Sequence, residues 1–198
     1  MQLVSSPASP FVRKVRVLIR EAGHEADVTE TPVATTPLAP AADALAANPT
    51  GKIPALIRDD GPAIYDSRVI CRYLDSTWSA GLYPEKRLWE VLTLEATADA
   101  ILDAAVLVVY EGRFREAPLQ SWIDAQWAKV TRGLAAIEAR WMSHLSGPLD
   151  MSQIAVGCAL GYLDFRHGER GWRGAVPELA AWGDRFAERP AMQATAPV

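Results

Sequence analysis

The stretch MQLVSSPASPFVRKVRVLIREAG, residues 1–23, decides the fold. Residues 1–5 read as a short strand, residues 6–9 as a serine–proline loop, and the remainder as an amphipathic helix. Phe11, Val15, Leu18 and Ala22 recur at spacings of 4, 3 and 4, one face of a helix, with Arg13, Lys14, Arg16, Arg20 and Glu21 elsewhere. Ser9 is a preferred N-cap, Pro10 suits the first helical position, and Gly23 closes the helix as its C′ residue. A helix entered from a strand presents free N–H groups and a positive dipole end at the strand's carboxyl edge, where α/β sheets place ligands. Ser9 is therefore either a cap alone or a cap whose hydroxyl also donates to an anion such as a thiolate. Lowering a thiol pKa from ~8.5 by about two units takes only ~2.7 kcal/mol. One charge-assisted hydrogen bond and a helix end supply energies of that order.

Working outward, HEADVTETPV (24–33) reads as a second, weaker strand, and a short helix is expected near residues 40–47, ended by Asn48-Pro49. IPALIRDDGPAIYD (53–66) reads as a hairpin, with apolar runs Ala55–Ile57 and Ala63–Tyr65 flanking Asp59-Asp60-Gly61. DSRVICRYLDSTW (66–78) is a helix with Val69, Ile70, Tyr73 and Leu74 on its apolar side. The order β-α-β-α-β-β-α over residues 1–77 predicts a small mixed four-stranded sheet, its first two strands parallel and its last two antiparallel. Residues 78–86 read as a linker. Beyond it strand signals vanish, all seven tryptophans follow residue 77, and helices are expected over 87–115, 119–145, 150–166 and 177–188. Residues 87–198 thus read as an all-α bundle. Asp150-Met151-Ser152-Gln153 fits a capping box at one of its helix starts, a structural feature.

At 49% hydrophobic and 22% charged residues, the 198-residue chain can bury a core without disulfide staples. Its net charge of −4 speaks against a nucleic-acid binder. Cys71 and Cys158 lie in apolar helical patterns and read as buried free thiols, which fits a cytoplasmic protein. No signal peptide or membrane span is evident, and the scattered His and Cys residues form no metal-ligand cluster.

Two further motifs offer binding chemistry, each beside a plainer reading. NPTGKIP (48–54) is a turn before a strand, but a proline at a strand's start is a candidate cis residue. Ile53 would then have a free backbone N–H and C=O for a short peptide-like ligand added as a strand. YDSRVICRYL (65–74) begins with Asp66 and Ser67, one of them the helix cap. The same helix start can hold a carboxylate through N–H groups and the Ser67 hydroxyl, while Asp66 can accept from an ammonium group. A thiolate pocket, a backbone ladder and an amino-acid clamp together describe a small thiol peptide.

SPFVRKVRV (9–17), NPTGKIPAL (48–56), YDSRVICRYLD (65–75), IAVGCALGYLDFR (154–166) and RPAMQATAP (189–197), in this order, resemble the cytosolic glutathione S-transferases, in particular a serine-type bacterial group. The resemblance implies a thioredoxin-like N-terminal domain, an all-helical C-terminal domain and a homodimer. Glutathione would be the co-substrate, with no metal. It implies that Ser9 activates the glutathione thiol, with Ser5 and Ser6 as alternatives. Ile53 and cis-Pro54 would hold the peptide backbone, and Asp66 and Ser67 the γ-glutamyl end. Lys52 would reach the glycyl carboxylate, and Phe11 and Val12 would line the pocket. Serine rather than cysteine at position 9 disfavours thiol–disulfide exchange through a protein thiol.

Asp103, Tyr110 and Arg113, on the long helix, are second-substrate candidates, and Asp99 or Asp103 could instead meet the glutathione ammonium across a dimer interface. Arg13, Lys14, Arg16 and Arg20 are expected on a solvated face, with attraction of an anionic ligand as the alternative. His24, His144 and His167 are expected at the surface. The functional expectation is a transferase that attacks a small, electrophilic, mostly apolar second substrate held between the domains. The rival readings are a non-catalytic glutathione- or partner-binding module and a glutathione-dependent peroxidase.

Overall fold

The computed structural model describes residues 1–198. Two compact units emerge, Met1–Pro84 with Pro190–Val198, and Glu85–Arg189.

The first unit is built on strand β1 (Gln2–Ser5), which pairs in parallel with β2 (Thr29–Pro32) and antiparallel with β3 (Ala55–Ile57). The sheet order is β2-β1-β3. Val4 faces Thr31 on one side and Ala55 on the other. Helix α1 (Pro10–Glu21) makes the crossover a parallel pair requires. The short helix α2 (Ala42–Ala47) packs Ala44 and Ala47 against Val4 and Ala55. Helix α3 (Ser67–Trp78) buries Ile70, Cys71 and Leu74.

The sheet has three strands, not the four read from the sequence. The second arm of the expected hairpin contributes one bridge, in which Leu56 and Ile64 exchange two N–H···O bonds of 2.9 Å. Pro62 has no N–H to extend the ladder, and Asp66 already caps α3, so only Ile64 is left in register.

In the second unit, α4 (Leu88–Phe114) and α5 (Gln120–Leu145) form a long pair, α6 (Met151–His167) packs on α4, and α7 (Pro177–Ala187) packs on α5 and α6. Gly133 lets α4 and α5 approach closely, since a Cβ there would lie 2.7 Å from Ile101 Cγ1. The capping box is present: Asp150 Oδ1 accepts from Ser152 N at 3.0 Å and Gln153 N at 3.4 Å, and Gln153 Oε1 accepts from Asp150 N at 2.9 Å. No helix is long and apolar enough to cross a membrane.

Three expectations about exposure are corrected. Arg13 and Lys14 are buried, not on a solvated face, because α1 packs against the C-terminal segment as well as against α3. Arg13 Nη2 donates to Met192 O at 3.0 Å within helix α8 (Pro190–Gln193). Residues 190–198 accordingly group with the first unit. His167 is buried with its Nε2 on Ala105 O at 3.0 Å, and the mostly buried His144 places its Nε2 2.9 Å from Asp150 Oδ2. Polar partners on neighbouring helices draw both rings inward.

Candidate functional site

The loop after β1 folds onto the N-terminus of α1. Ser9 N donates to Ser6 O at 3.1 Å, and Ser9 Oγ accepts from Val12 N at 3.3 Å. Ser9 is therefore the cap read from the sequence. Accepting that bond leaves its hydroxyl proton to be donated elsewhere. Ser9 and Ser6 are partly exposed, whereas Ser5 is 1% exposed at the end of β1. Phe11 is half-buried. Val12 is fully buried, so only its N–H faces the loop.

The second piece lies beside this loop because β3 runs antiparallel to β1. Ala55 pairs with Val4, so Pro54 falls at the level of Ser5. The Ile53–Pro54 peptide is cis. The Ile53 side chain packs on the cluster of Val4, Ala44, Ala47 and Ala55, while its N–H and C=O join none of the chain's backbone hydrogen bonds. Anchored side chain and free backbone together suit the addition of a short extended ligand. Lys52 is exposed.

The third piece is the start of α3. Asp66 is the N-cap, its Oδ1 accepting from Arg68 N at 3.0 Å, and Ser67 is buried at the first helical position. The Tyr65–Asp66 peptide is also cis. Burial pushes the Asp66 carboxyl up, but the Arg68 guanidinium, 3.1 Å from Oδ2, and the Arg68 and Val69 N–H groups outweigh it and hold the pKa below the ordinary value. Asp66 is thus a carboxylate at neutral pH. The bridge at Ile64 brings this helix start to the same side of the sheet as β3.

Sequence reasoning missed the residue that shapes the second piece. Buried Asn48 donates through Nδ2 to Lys52 O at 2.9 Å, while its Oδ1 accepts from Thr50 N at 3.0 Å and Thr50 Oγ1 at 2.9 Å. Its backbone O accepts from Gly51 N at 2.8 Å. Gly51 has φ +66° and would set a Cβ 3.0 Å from Pro40 Cβ, so glycine is required there. The signal was present as an Asx residue four before Lys52, but only the folded loop shows its side chain bonding forward. Arg68, the partner of Asp66, was equally unmarked.

In the helical unit, Asp103 and Arg113 are exposed on α4, Tyr110 is half-buried, and Asp99 is buried. The Tyr110 ring lies 5.4 Å from that of Phe114. No group of three or more His, Cys, Asp or Glu side chains is placed to hold a metal ion.

Residues 8–77 match the family model described as "Glutathione S-transferase, N-terminal domain", and residues 120–185 that described as "Glutathione S-transferase, C-terminal domain". The "Uncharacterized GST-like protein YibF" of Escherichia coli (strain K12) is 31% identical over 100% of this chain and 98% of its own. A glutathione transferase family member from Pseudomonas fluorescens Pf-5, crystallised with bound glutathione, is 46% identical with a TM-score of 0.96, covering 100% of this chain and 98% of that one. A second structure of a family member from that strain holds S-(propanoic acid)-glutathione, at 44% identity and TM-score 0.91, with 100% of both chains covered. A glutathione S-transferase from Methylobacillus flagellatus KT with glutathione bound is 37% identical, TM-score 0.84, covering 100% of this chain and 99% of that one. With both domain models matched and the relatives aligned from end to end, the chain belongs to the glutathione S-transferase family.

Proposed function

We propose that the protein binds glutathione on its first unit and transfers it, as the thiolate, to an electrophilic carbon. The observation that carries this reading is the free N–H and C=O of Ile53 beside the Ser9-capped start of α1. The Ile53 backbone would pair with the cysteinyl backbone of glutathione, and the Ser9 hydroxyl proton would point to its sulfur. The α1 N-terminus adds its dipole, so the thiol ionises more readily than in water. Asp66 would accept from the γ-glutamyl ammonium, Ser67 and the α3 N–H groups would hold its carboxylate, and Lys52 would meet the glycyl carboxylate. Phe11 would line the pocket. Asp103, Tyr110 and Arg113 are assigned to the second substrate, a small electrophile of the detoxification type.

Rate enhancement then comes from positioning and electrostatics, with no covalent enzyme intermediate. The thioether held by one Pseudomonas fluorescens relative supports conjugation over peroxide reduction, since it is the product type of thiolate attack on carbon. The buried cysteines Cys71 and Cys158, not joined in a disulfide, fit a cytoplasmic setting, and Trp89, 76% exposed, offers apolar surface that a second copy would cover as a homodimer. The test is a glutathione titration followed by a panel of aryl halides and organic hydroperoxides. Saturable binding with thioether formation supports the proposal. Binding without any turnover refutes it in favour of a binding module, and turnover of hydroperoxides alone makes the protein a peroxidase.

A further inference from the structure

Four polar side chains cluster where α4 and α6 pack, and none of them has a hydrogen-bond or ion-pair partner in the chain. Tyr110 and Arg113 share one face of α4, three residues apart, with Phe114 beside them. Tyr162 and Arg166 share one face of α6, four residues apart. The two helices are tied near this level by the His167 Nε2 bond to Ala105 O. Tyr162 is 5% exposed, and its phenol makes no hydrogen bond within the chain. Burial pushes that phenol up to about 12 against the opposing pull of Arg166 and Arg113, with the Tyr110 phenol also within range. Tyr162 therefore keeps its proton at neutral pH and can donate it, in the field of the Arg113 and Arg166 guanidinium groups.

The nearby carboxylates do not neutralise this positive charge. Asp164 is held by Arg173 at 2.7 and 2.9 Å, and Glu111 by Arg115 at 3.1 Å and by Leu119 N at 3.0 Å. Glu169 is exposed, and its field at His167 is opposed by Arg166 and Arg170. The Arg166 guanidinium carbon lies 4.0 Å from the centroid of the Phe165 ring, a cation–π contact. Two unpaired guanidiniums with two unpaired phenol donors match a carboxylate, which accepts several bonds and carries one negative charge.

We propose that Arg113, Arg166, Tyr110 and Tyr162 form a carboxylate-recognition site, and that the second substrate is an electrophile bearing a carboxylate. This rests on the conjugation reading above and narrows it from apolar electrophiles to anionic ones. A matched pair of probes tests it, para-chloro-meta-nitrobenzoate and its methyl ester. In both, the thiolate lone pair forms a C–S bond at the ring carbon bearing chlorine, and the C–Cl pair leaves as chloride. No net oxidation occurs, and the thiol proton goes to solvent.

With rates divided by the uncatalysed rate, the acid-to-ester ratio of kcat/KM is expected to exceed one in the wild type. It should fall about five- to tenfold in Arg113→Gln and in Arg166→Gln, the effect of one partly exposed charge-assisted contact. The loss should lie in KM of the acid, Arg166→Lys should restore part of it, and Tyr162→Phe should lower the ratio by a smaller factor. A ratio unchanged across all variants overturns the proposal. Calorimetric binding of benzoate to the wild type and to the Arg113→Gln/Arg166→Gln double variant separates the two readings. Benzoate lost from the double variant while neither probe is conjugated in the wild type upholds the carboxylate site and overturns the conjugation reading. Benzoate binding that is absent in the wild type, or equal in both proteins, overturns the site itself.

Discussion

Replacing Ser9 by alanine and by glycine separates the two things its hydroxyl can do. The cap bond to Val12 N is long, 3.3 Å, so its loss in Ser9→Ala should cost about 1 kcal/mol or less, and in Ser9→Gly only a few tenths. For a chain of this size 1 kcal/mol lowers the thermal midpoint by about 2–4 °C, which leaves both variants folded at room temperature. A hydrogen bond to a charged group contributes about 1.5–3 kcal/mol. Its loss should raise the pKa of bound glutathione by roughly one to two units, since one unit corresponds to 1.36 kcal/mol. With the wild-type thiol about two units below ~8.5, turnover at pH 7 should fall about three- to twenty-fivefold in both variants, with glutathione affinity changed much less. The assay is thiolate ultraviolet absorbance of the glutathione complex against pH, beside steady-state conjugation rates and a thermal melt. If Ser9→Gly keeps full turnover and the wild-type thiol pKa, Ser9 is a helix cap and its assigned chemistry is refuted.

Because the Asp66 pKa is depressed in the folded chain, its contribution is present above the ordinary value of 3.8 and is lost only as pH falls through the lower folded value. Glutathione KM should therefore show no Asp66-dependent rise between about pH 7 and about pH 4, and Arg68→Gln should move that acid limb upward in a pH–KM profile. Asn48→Ala removes the side-chain bonds that shape residues 48–52. It should weaken glutathione binding by roughly five- to fiftyfold, read by calorimetry, with a smaller change in the limiting rate. Asp150→Ala strips the capping box and leaves His144 and the Ser152 hydroxyl without their shared buried partner. Urea unfolding should show a loss of roughly 3 kcal/mol or more, with glutathione affinity at room temperature little changed.

The features legible in the sequence are those whose partners lie within a few residues. Ser9 caps Val12 and Asp66 caps Arg68; Asp150 and Gln153 satisfy each other, and Gly23 takes φ +74° after α1. In each case the bond closes over two or three positions, so residue type and spacing suffice to specify it. The cis Ile53–Pro54 bond belongs to the same class, because the proline itself lowers the penalty for that isomer.

What only the tertiary structure decided are the fates of groups whose partners are remote. Arg13 looks like any surface arginine in the sequence, yet its guanidinium donates to Met192 O, 179 residues away. His167 is drawn in by Ala105, and the C-terminal segment joins the first unit rather than the helical one. The fourth strand shrank to one bridge because pairing needs several consecutive residues in register, and its neighbours were committed to a proline and a helix cap. Amphipathic periodicity tells which residues can leave water, while a buried polar group depends on which distant acceptor the packed chain brings to it.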